Sequence, residues 1–123
     1  DGDVLLHAIC DALLGAANLR DIGFHFPDNS ATYKNISSVI LLEQTVKILK
    51  EKGYRVGNID STICLQRPKI KDTIPQMVAC LSKALETDPD NVSVKATTTE
   101  KLGFVGEEKG ISVYAVALIY KES

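Results

Sequence analysis

No apolar run in this chain approaches the ~20 residues that a membrane-spanning helix needs. The longest, residues 113–120, has the length of a strand. An excess of charge is also missing: fourteen basic against sixteen acidic residues leave a net charge of -2. Bulk electrostatics therefore offers no pull toward nucleic acid or an anionic membrane, and neither is expected as a partner. Cysteine is scarce, and Cys10, Cys64 and Cys80 are an odd number with no CxxC spacing. Each falls in an apolar-periodic segment, so all three are expected to be small buried hydrophobes in a reducing compartment. Internal repeats, low-complexity tracts and linkers are lacking, which leaves one domain over residues 1–123 with a real but modest core. The chain opens on Asp1 without Met, signal or transit segment, and is expected to be truncated at its N-terminus.

What is present is an ordinary globular composition, 45% apolar and 24% charged. Residues 1–17 read as a helix, with Val4, Leu5, Ala8, Ile9, Ala12, Leu13 and Ala16 on one apolar face. Residues 18–35 read as a loop. A second helix starts near Ser37 or Ser38, buries Val39, Leu42, Val46 and Leu49, and ends at Gly53. Residues 54–65 read as a strand, with Gly57 marking a bulge or bend. Asp72 or Thr73 caps a third helix that tolerates Pro75 in its first turn; its buried stripe runs through Ile74, Met77, Val78, Leu81, Ala84 and Leu85. A turn over 88–91 precedes a strand over 92–98, and the last strand spans 111–120. The order α-α-β-α-β-β yields a thin three-stranded sheet with exposed edges, so a missing N-terminal strand and cover from other subunits are both expected.

Four constellations carry chemistry. His7 lies one helical turn from both Asp3 and Asp11, a spacing that suits a solvated polar stripe first, and a metal ligand with a carboxylate on its second ring nitrogen second. One histidine is too few for a catalytic zinc, which takes three protein ligands. Residues 21–28, Asp-Ile-Gly-Phe-His-Phe-Pro-Asp, put two carboxylates among aromatics, fit for the hydroxyls of a polyol or for a surface turn; His25 within it reads as structural. Residues 66–71, Gln-Arg-Pro-Lys-Ile-Lys, offer backbone for a base edge and cations for phosphate, or a solvated basic turn. Residues 95–104, Lys-Ala-Thr-Thr-Thr-Glu-Lys-Leu-Gly-Phe, are the most telling. Three hydroxyls at a strand end and a carboxylate beside them suit phosphate oxygens bridged by a hard divalent ion.

These motifs stand in order with Asp-Gly-Asp-Val-Leu-Leu-His-Ala at 1–8, Asp-Ala-Leu-Leu-Gly-Ala at 11–16, Asp-Ile-Gly at 21–23, Phe-Pro-Asp at 26–28 and Gln-Arg-Pro-Lys at 66–69. Together they closely resemble the 2-C-methyl-D-erythritol 2,4-cyclodiphosphate synthases of the non-mevalonate isoprenoid pathway, over essentially the whole chain. The resemblance implies an α+β single domain, a mixed β-sheet packed against helices, assembled as a homotrimer with active sites between subunits. It implies a phosphorus–oxygen lyase that cyclises 4-diphosphocytidyl-2-C-methyl-D-erythritol 2-phosphate and releases CMP. It also implies a bacterial cytoplasmic protein, with a plastid location left open. Two readings stand beside it: a trimeric nucleotide-binding relative with impaired catalysis, and the synthase part of a bifunctional cytidylyltransferase-synthase.

By the same resemblance His7 is one ligand of a zinc. Asp21, Ile22 and Gly23 hold the methylerythritol portion, and Phe26, Pro27, Asp28, Asn29 and Ser30 form a flap. Leu65, Gln66, Arg67, Pro68, Lys69, Ile70 and Lys71 cradle the cytidine. Thr97, Thr98 and Thr99 face phosphates, with Thr98 stabilising the transition state. Glu100 holds a second divalent ion, magnesium or manganese, and Phe104 lies near the site. The family's N-terminal Asp-x-His zinc ligands and its His-Ser pair are absent from this sequence, Ser30 replaces a frequent Asp, and Glu107 replaces an Arg that faces the trimer's central cavity. A carboxylate at 107 argues against an isoprenoid diphosphate in that cavity.

Overall fold

Most of the described elements follow from local sequence signals. The computed structural model describes residues 2–27, 37–66, 70–98, 102–103 and 110–122. Helix α1 spans Gly2–Ala16 and closes over Asn18, whose φ of 57° is left-handed, a conformation that Asn tolerates better than most residues. The Leu19 N–H reaches back to the Leu14 carbonyl at 2.8 Å, satisfying one of the helix's terminal acceptors. The buried face of α1 is rotated from the expected one. Leu5, Leu6, Ile9, Cys10, Leu13 and Leu14 are buried, while Val4 and Ala16 are exposed. The segment expected as a plain loop contains a one-turn helix, α2, over Ile22–His25.

Helix α3 covers Ser38–Glu51, with the Ser37 hydroxyl accepting from the Ile40 N–H as an N-cap. It ends just before Gly53, whose φ of 88° requires glycine's freedom. Leu42, Val46 and Leu49 are buried as the period predicts. Val39 is only half-buried, and Leu41 and Thr45 complete the inner face. Thr45 buries its hydroxyl at no loss, since it donates to the Leu41 carbonyl at 2.9 Å. A 3₁₀ turn over Lys71–Thr73 leads into α4, Ile74–Leu85, with Pro75 in its first turn.

Strands β1 (Tyr54–Cys64), β2 (Val92–Thr97) and β3 (Ser112–Lys121) form one mixed sheet in the order β2-β1-β3. β1 pairs parallel with β2, from Ile59 opposite Val92 to Cys64 opposite Thr97. It pairs antiparallel with β3, and the register slips between Val56 and Asn58. Gly57 occupies that slip: a Cβ there would stand 2.9 Å from the Leu118 carbonyl oxygen. The helices cover one face of the sheet, and Ile59 and Ile63 sit in the core between them. Ser61 shares that face and is buried because its hydroxyl donates to the Ser93 carbonyl at 2.9 Å.

The expectation for the cysteines holds only in part. Cys10 is buried, Cys64 is half-buried, and Cys80 is exposed. Cys80 lies at the edge of the stripe of Leu81, Ala84 and Leu85, where it borders a cavity with Leu5, Leu6 and Met77.

Candidate functional site at the ends of the parallel strands

The parallel pairing of β1 and β2 puts the ends of both strands side by side. The ladder runs one step beyond β1, because the Leu65 N–H donates to the Thr97 carbonyl at 3.0 Å. The two chains then diverge, one into the residues after Leu65 and the other into the threonines. Between them lies a cavity of about 180 Å³, lined by Leu65, Gln66, Ile70, Lys71, Ala96, Thr97 and Thr98. The carboxyl end of parallel strands, where the connections part, is the usual place for a ligand in such sheets.

The cavity walls are apolar, with Leu65 and Ile70 buried, and its rim carries two hydroxyls and the exposed Lys71 ammonium. A flat, partly apolar group with a charged tail suits this arrangement. The family resemblance assigned 65–71 and 97–98 to one ligand, and the fold brings Leu65, Gln66, Ile70, Lys71, Thr97 and Thr98 to one cavity. Ala96 was not singled out from the sequence; its small side chain is part of the wall. Arg67, Pro68, Lys69, Thr99, Glu100, Phe104 and Glu107 lie outside the described residues.

Lys95, two residues before Thr97, does not serve the cavity. Its ammonium sits 3.0 Å from the Asp60 carboxylate across β1 and β2 on the open face of the sheet. The hydrogen bond from Lys95 holds Asp60 below the usual carboxylate range.

The second group of expected residues forms around α1. His7 is half-buried, and its Nε2 lies 3.2 Å from the hydroxyl of Ser38, a buried residue at the start of α3. Asp11 accepts a hydrogen bond from the Ile22 N–H at 2.9 Å. The stripe of Asp3, His7 and Asp11 is thus more than a solvated face: two of its members reach other elements. Neither Ser38 nor the Ile22 contact was legible, since both partners come together only through the fold.

Asp21 caps α2, its Oδ1 accepting from the Phe24 N–H at 3.0 Å. Ile22 is half-buried, and Gly23 is exposed. His25 is structural, as expected; its Nε2 bonds the Leu19 carbonyl at 2.7 Å. Phe26, expected in a flap, is a core residue only 7% exposed, and Pro27 beside it is half-buried. Asp28, Asn29 and Ser30 lie outside the described residues. None of His7, Asp21, Ile22, Gly23 and Phe26 lines the strand-end cavity.

Among the described residues, no group of three His, Cys, Asp or Glu side chains converges as a metal site. His7 alone does not make a zinc site, and a zinc there needs ligands from outside these residues.

A family model described as the YgbB family matches residues 1–120. The chain belongs to the YgbB family. It is 63% identical over 119 residues to a Bacteroides fragilis protein named 2-C-methyl-D-erythritol 2,4-cyclodiphosphate synthase, covering 97% of this chain and 75% of that one. A Desulfitobacterium hafniense protein of the same name is 57% identical over 121 residues, covering 98% of this chain and 77% of that one. Among solved structures, the bifunctional IspDF from Campylobacter jejuni superposes with a TM-score of 0.93 at 42% identity. The match covers 99% of this chain, which spans 33% of that longer one. IspF of Plasmodium falciparum, solved as a CDP complex, superposes with a TM-score of 0.85 at 34% identity, over 98% of this chain and 72% of that one.

Proposed function

We propose that this YgbB-family chain cyclises 4-diphosphocytidyl-2-C-methyl-D-erythritol 2-phosphate to 2-C-methyl-D-erythritol 2,4-cyclodiphosphate and releases CMP. The observation that carries this is the strand-end cavity, where the predicted cytidine residues and the predicted phosphate threonines meet. An oxygen of the substrate's own 2-phosphate attacks its β-phosphorus. The bond from that phosphorus to the oxygen bridging the α-phosphate breaks, and CMP leaves with the electron pair. No protein nucleophile is needed. The reaction class is that of a phosphorus–oxygen lyase.

In this reading Leu65, Ile70 and Ala96 enclose the base, and Gln66 and Lys71 border it. Thr97 and Thr98 offer hydroxyls to the phosphates, with Thr98 favouring the transition state. Asp21 and its neighbours accept the methylerythritol hydroxyls. Divalent metals, when bound, neutralise the charge of the reacting phosphates. His7 would be one zinc ligand, with the remainder supplied from outside the described residues, and Glu100 would hold magnesium or manganese.

The working unit in this reading is a homotrimer with its sites between subunits. The sheet face away from the helices supports it, because Tyr114, Val116, Leu118 and Tyr120 are between 54% and 71% exposed there in a row along β3. Apolar patches of this kind mark interfaces more often than free surface. A cytoplasmic location in a bacterium goes with the reading and rests on the bacterial relatives. No helix among the described residues is long and apolar enough to cross a membrane.

Phosphorus NMR of the protein with the 2-phosphorylated cytidyl substrate, Zn²⁺ and Mg²⁺ tests the activity. Cyclic diphosphate and CMP should appear in equal amounts. Binding of CDP without any turnover, or release of CMP without the cyclic product, would overturn it.

A further inference from the structure

The segment that the proposed function assigns to methylerythritol is held in place from outside itself. Helix α2 is a single turn of four residues, too short to persist alone. Arg20, just before it, has a left-handed φ of 73°, a strained conformation for a side chain of that size. Contacts at both ends and in the middle fix this segment. Phe26 anchors its far end in the core, and the His25 ring ties its middle to the Leu19 carbonyl. At the near end the Ile22 N–H, one of the orphan donors of the helix start, is taken by Asp11 of α1 at 2.9 Å. The Asp11 bond fixes the backbone at the end formed by Asp21, Ile22 and Gly23, where the Ile22 side chain also packs against the core.

We propose that Asp11 is a positioning residue: its carboxylate clamps the Ile22 N–H and so sets the Asp21 carboxylate for the substrate's polyol hydroxyls. Asp21 can do both jobs, because a carboxylate has two oxygens and each accepts more than one bond; one caps Phe24 while acceptor capacity remains. Asp11 sits one helical turn from His7 on the same helix, so the clamp also ties the substrate-holding segment to the element that carries the expected metal ligand. The inference rests on the cyclase reading for the identity of the ligand.

The test compares two ligands that cannot form the cyclic diphosphate. 4-Diphosphocytidyl-2-C-methyl-D-erythritol lacks the attacking 2-phosphate, and CDP lacks the polyol as well. Calorimetry gives the affinity of each for the wild type and for Asp11→Ala, Asp11→Asn and Asp11→Glu. Asp11→Ala should weaken the longer ligand about tenfold and leave CDP within about twofold. Asp11→Asn keeps an oxygen acceptor at the same place and should stay near the wild type. Asp11→Glu keeps the charge but displaces the acceptor by a methylene, and should resemble Asp11→Ala. Equal losses for both ligands would overturn the proposal, as would an Asp11→Asn variant as weak as Asp11→Ala, or a wild type that does not prefer the longer ligand. If thermal melting shows that Asp11→Ala does not fold, the contrast between the Asn and Glu variants carries the same test. Turnover of the 2-phosphorylated substrate is measured separately: a wild type that prefers the longer ligand yet makes no cyclic product refutes the cyclase and keeps the clamp.

Discussion

Leu118→Asp should break the assembly without unfolding the chain. Leu118 is 64% exposed in the single chain, in the middle of the apolar row on β3. Its cross-strand neighbour is Asn58, which is neutral, whereas Val116 faces Asp60. A carboxylate at 118 therefore meets no like charge directly opposite, and the folded monomer should change by no more than about 0.5 kcal/mol. In an assembly that covers this face the balance differs. Burying the rest of a leucine contributes about 1–2 kcal/mol per subunit. Forcing an unpaired carboxylate into the same place costs several kcal/mol more. Over three subunits the shift is on the order of 10 kcal/mol, enough to dissociate any ordinary complex at micromolar concentration. Light scattering should give three times the chain mass for the wild type and the chain mass for Leu118→Asp, with the variant still melting cooperatively as a folded monomer. Leu118→Ala, which removes contact area but adds no charge, should weaken assembly less. A wild type that is monomeric, or a Leu118→Asp variant that remains a trimer, would refute the reasoning.

Glu100→Gln should lower turnover much more than it weakens CDP binding, because that carboxylate is assigned to the diphosphate metal; equal losses in a titration and a rate assay would count against the assignment. Gly57→Ala should cost about 1–3 kcal/mol in urea unfolding, since the new Cβ meets the backbone oxygen of Leu118 at 2.9 Å and neither strand can yield freely. Burial pushes the Cys10 thiol up to about 11 from its ordinary 9.0. The raised folded value means that the stabilisation is complete below pH 9 and is lost as pH rises toward 11, by about 3 kcal/mol in all; urea midpoints across that range should fall for the wild type and stay nearly flat for Cys10→Ala, while a thiol reagent at neutral pH labels Cys80 first. Mixing His7→Ala with Thr98→Ala subunits, after dissociation and reassembly, should restore roughly a quarter of wild-type activity if each site takes these residues from neighbouring chains, and none if it takes both from one.

The parts of this fold that sequence reading reached are those governed by local rules. The start of α3 at Ser37, the stop at Gly53 and the bulge at Gly57 each rest on one residue's backbone chemistry, and each is where it was expected. The parts it missed depend on what lies across the interior. The apolar face of α1 turned toward Leu6, Cys10 and Leu14 because the helix packs on both β3 and α3, and an amphipathic pattern with many alanines does not fix the angle. Cys80 was misjudged for a related reason: α4 meets the core along a narrow stripe, and a cysteine beside that stripe looks as apolar as one within it. In the site, Thr97 and Leu65 could be named from motifs, but their hydrogen bond and the wall made by Ala96 follow only from the parallel register of β1 and β2.

Among the described residues, the expected site residues fall into two groups, and the second lines no part of the strand-end cavity. Cytidine and phosphate determinants gather where β1 and β2 end, on the far side of the β1–β2 ladder's last bond. The described residues expected for the polyol and the zinc, Asp21, Ile22, Gly23 and His7, gather around α1, where His7 leans on Ser38 and Asp11 on Ile22. A substrate that carries a base at one end and a phosphorylated polyol at the other must engage both groups at once. A small domain has two ways to satisfy that: a long cleft of its own, or an edge that completes another copy's site. Among the described residues, the strand-end cavity is lined by none of the second group, while the open face of β3 presents apolar side chains in a row. Assembly through that face would bury the exposed row and bring a second chain to the sheet in one step, so the stability of the trimer and the completion of its active site would depend on the same few side chains.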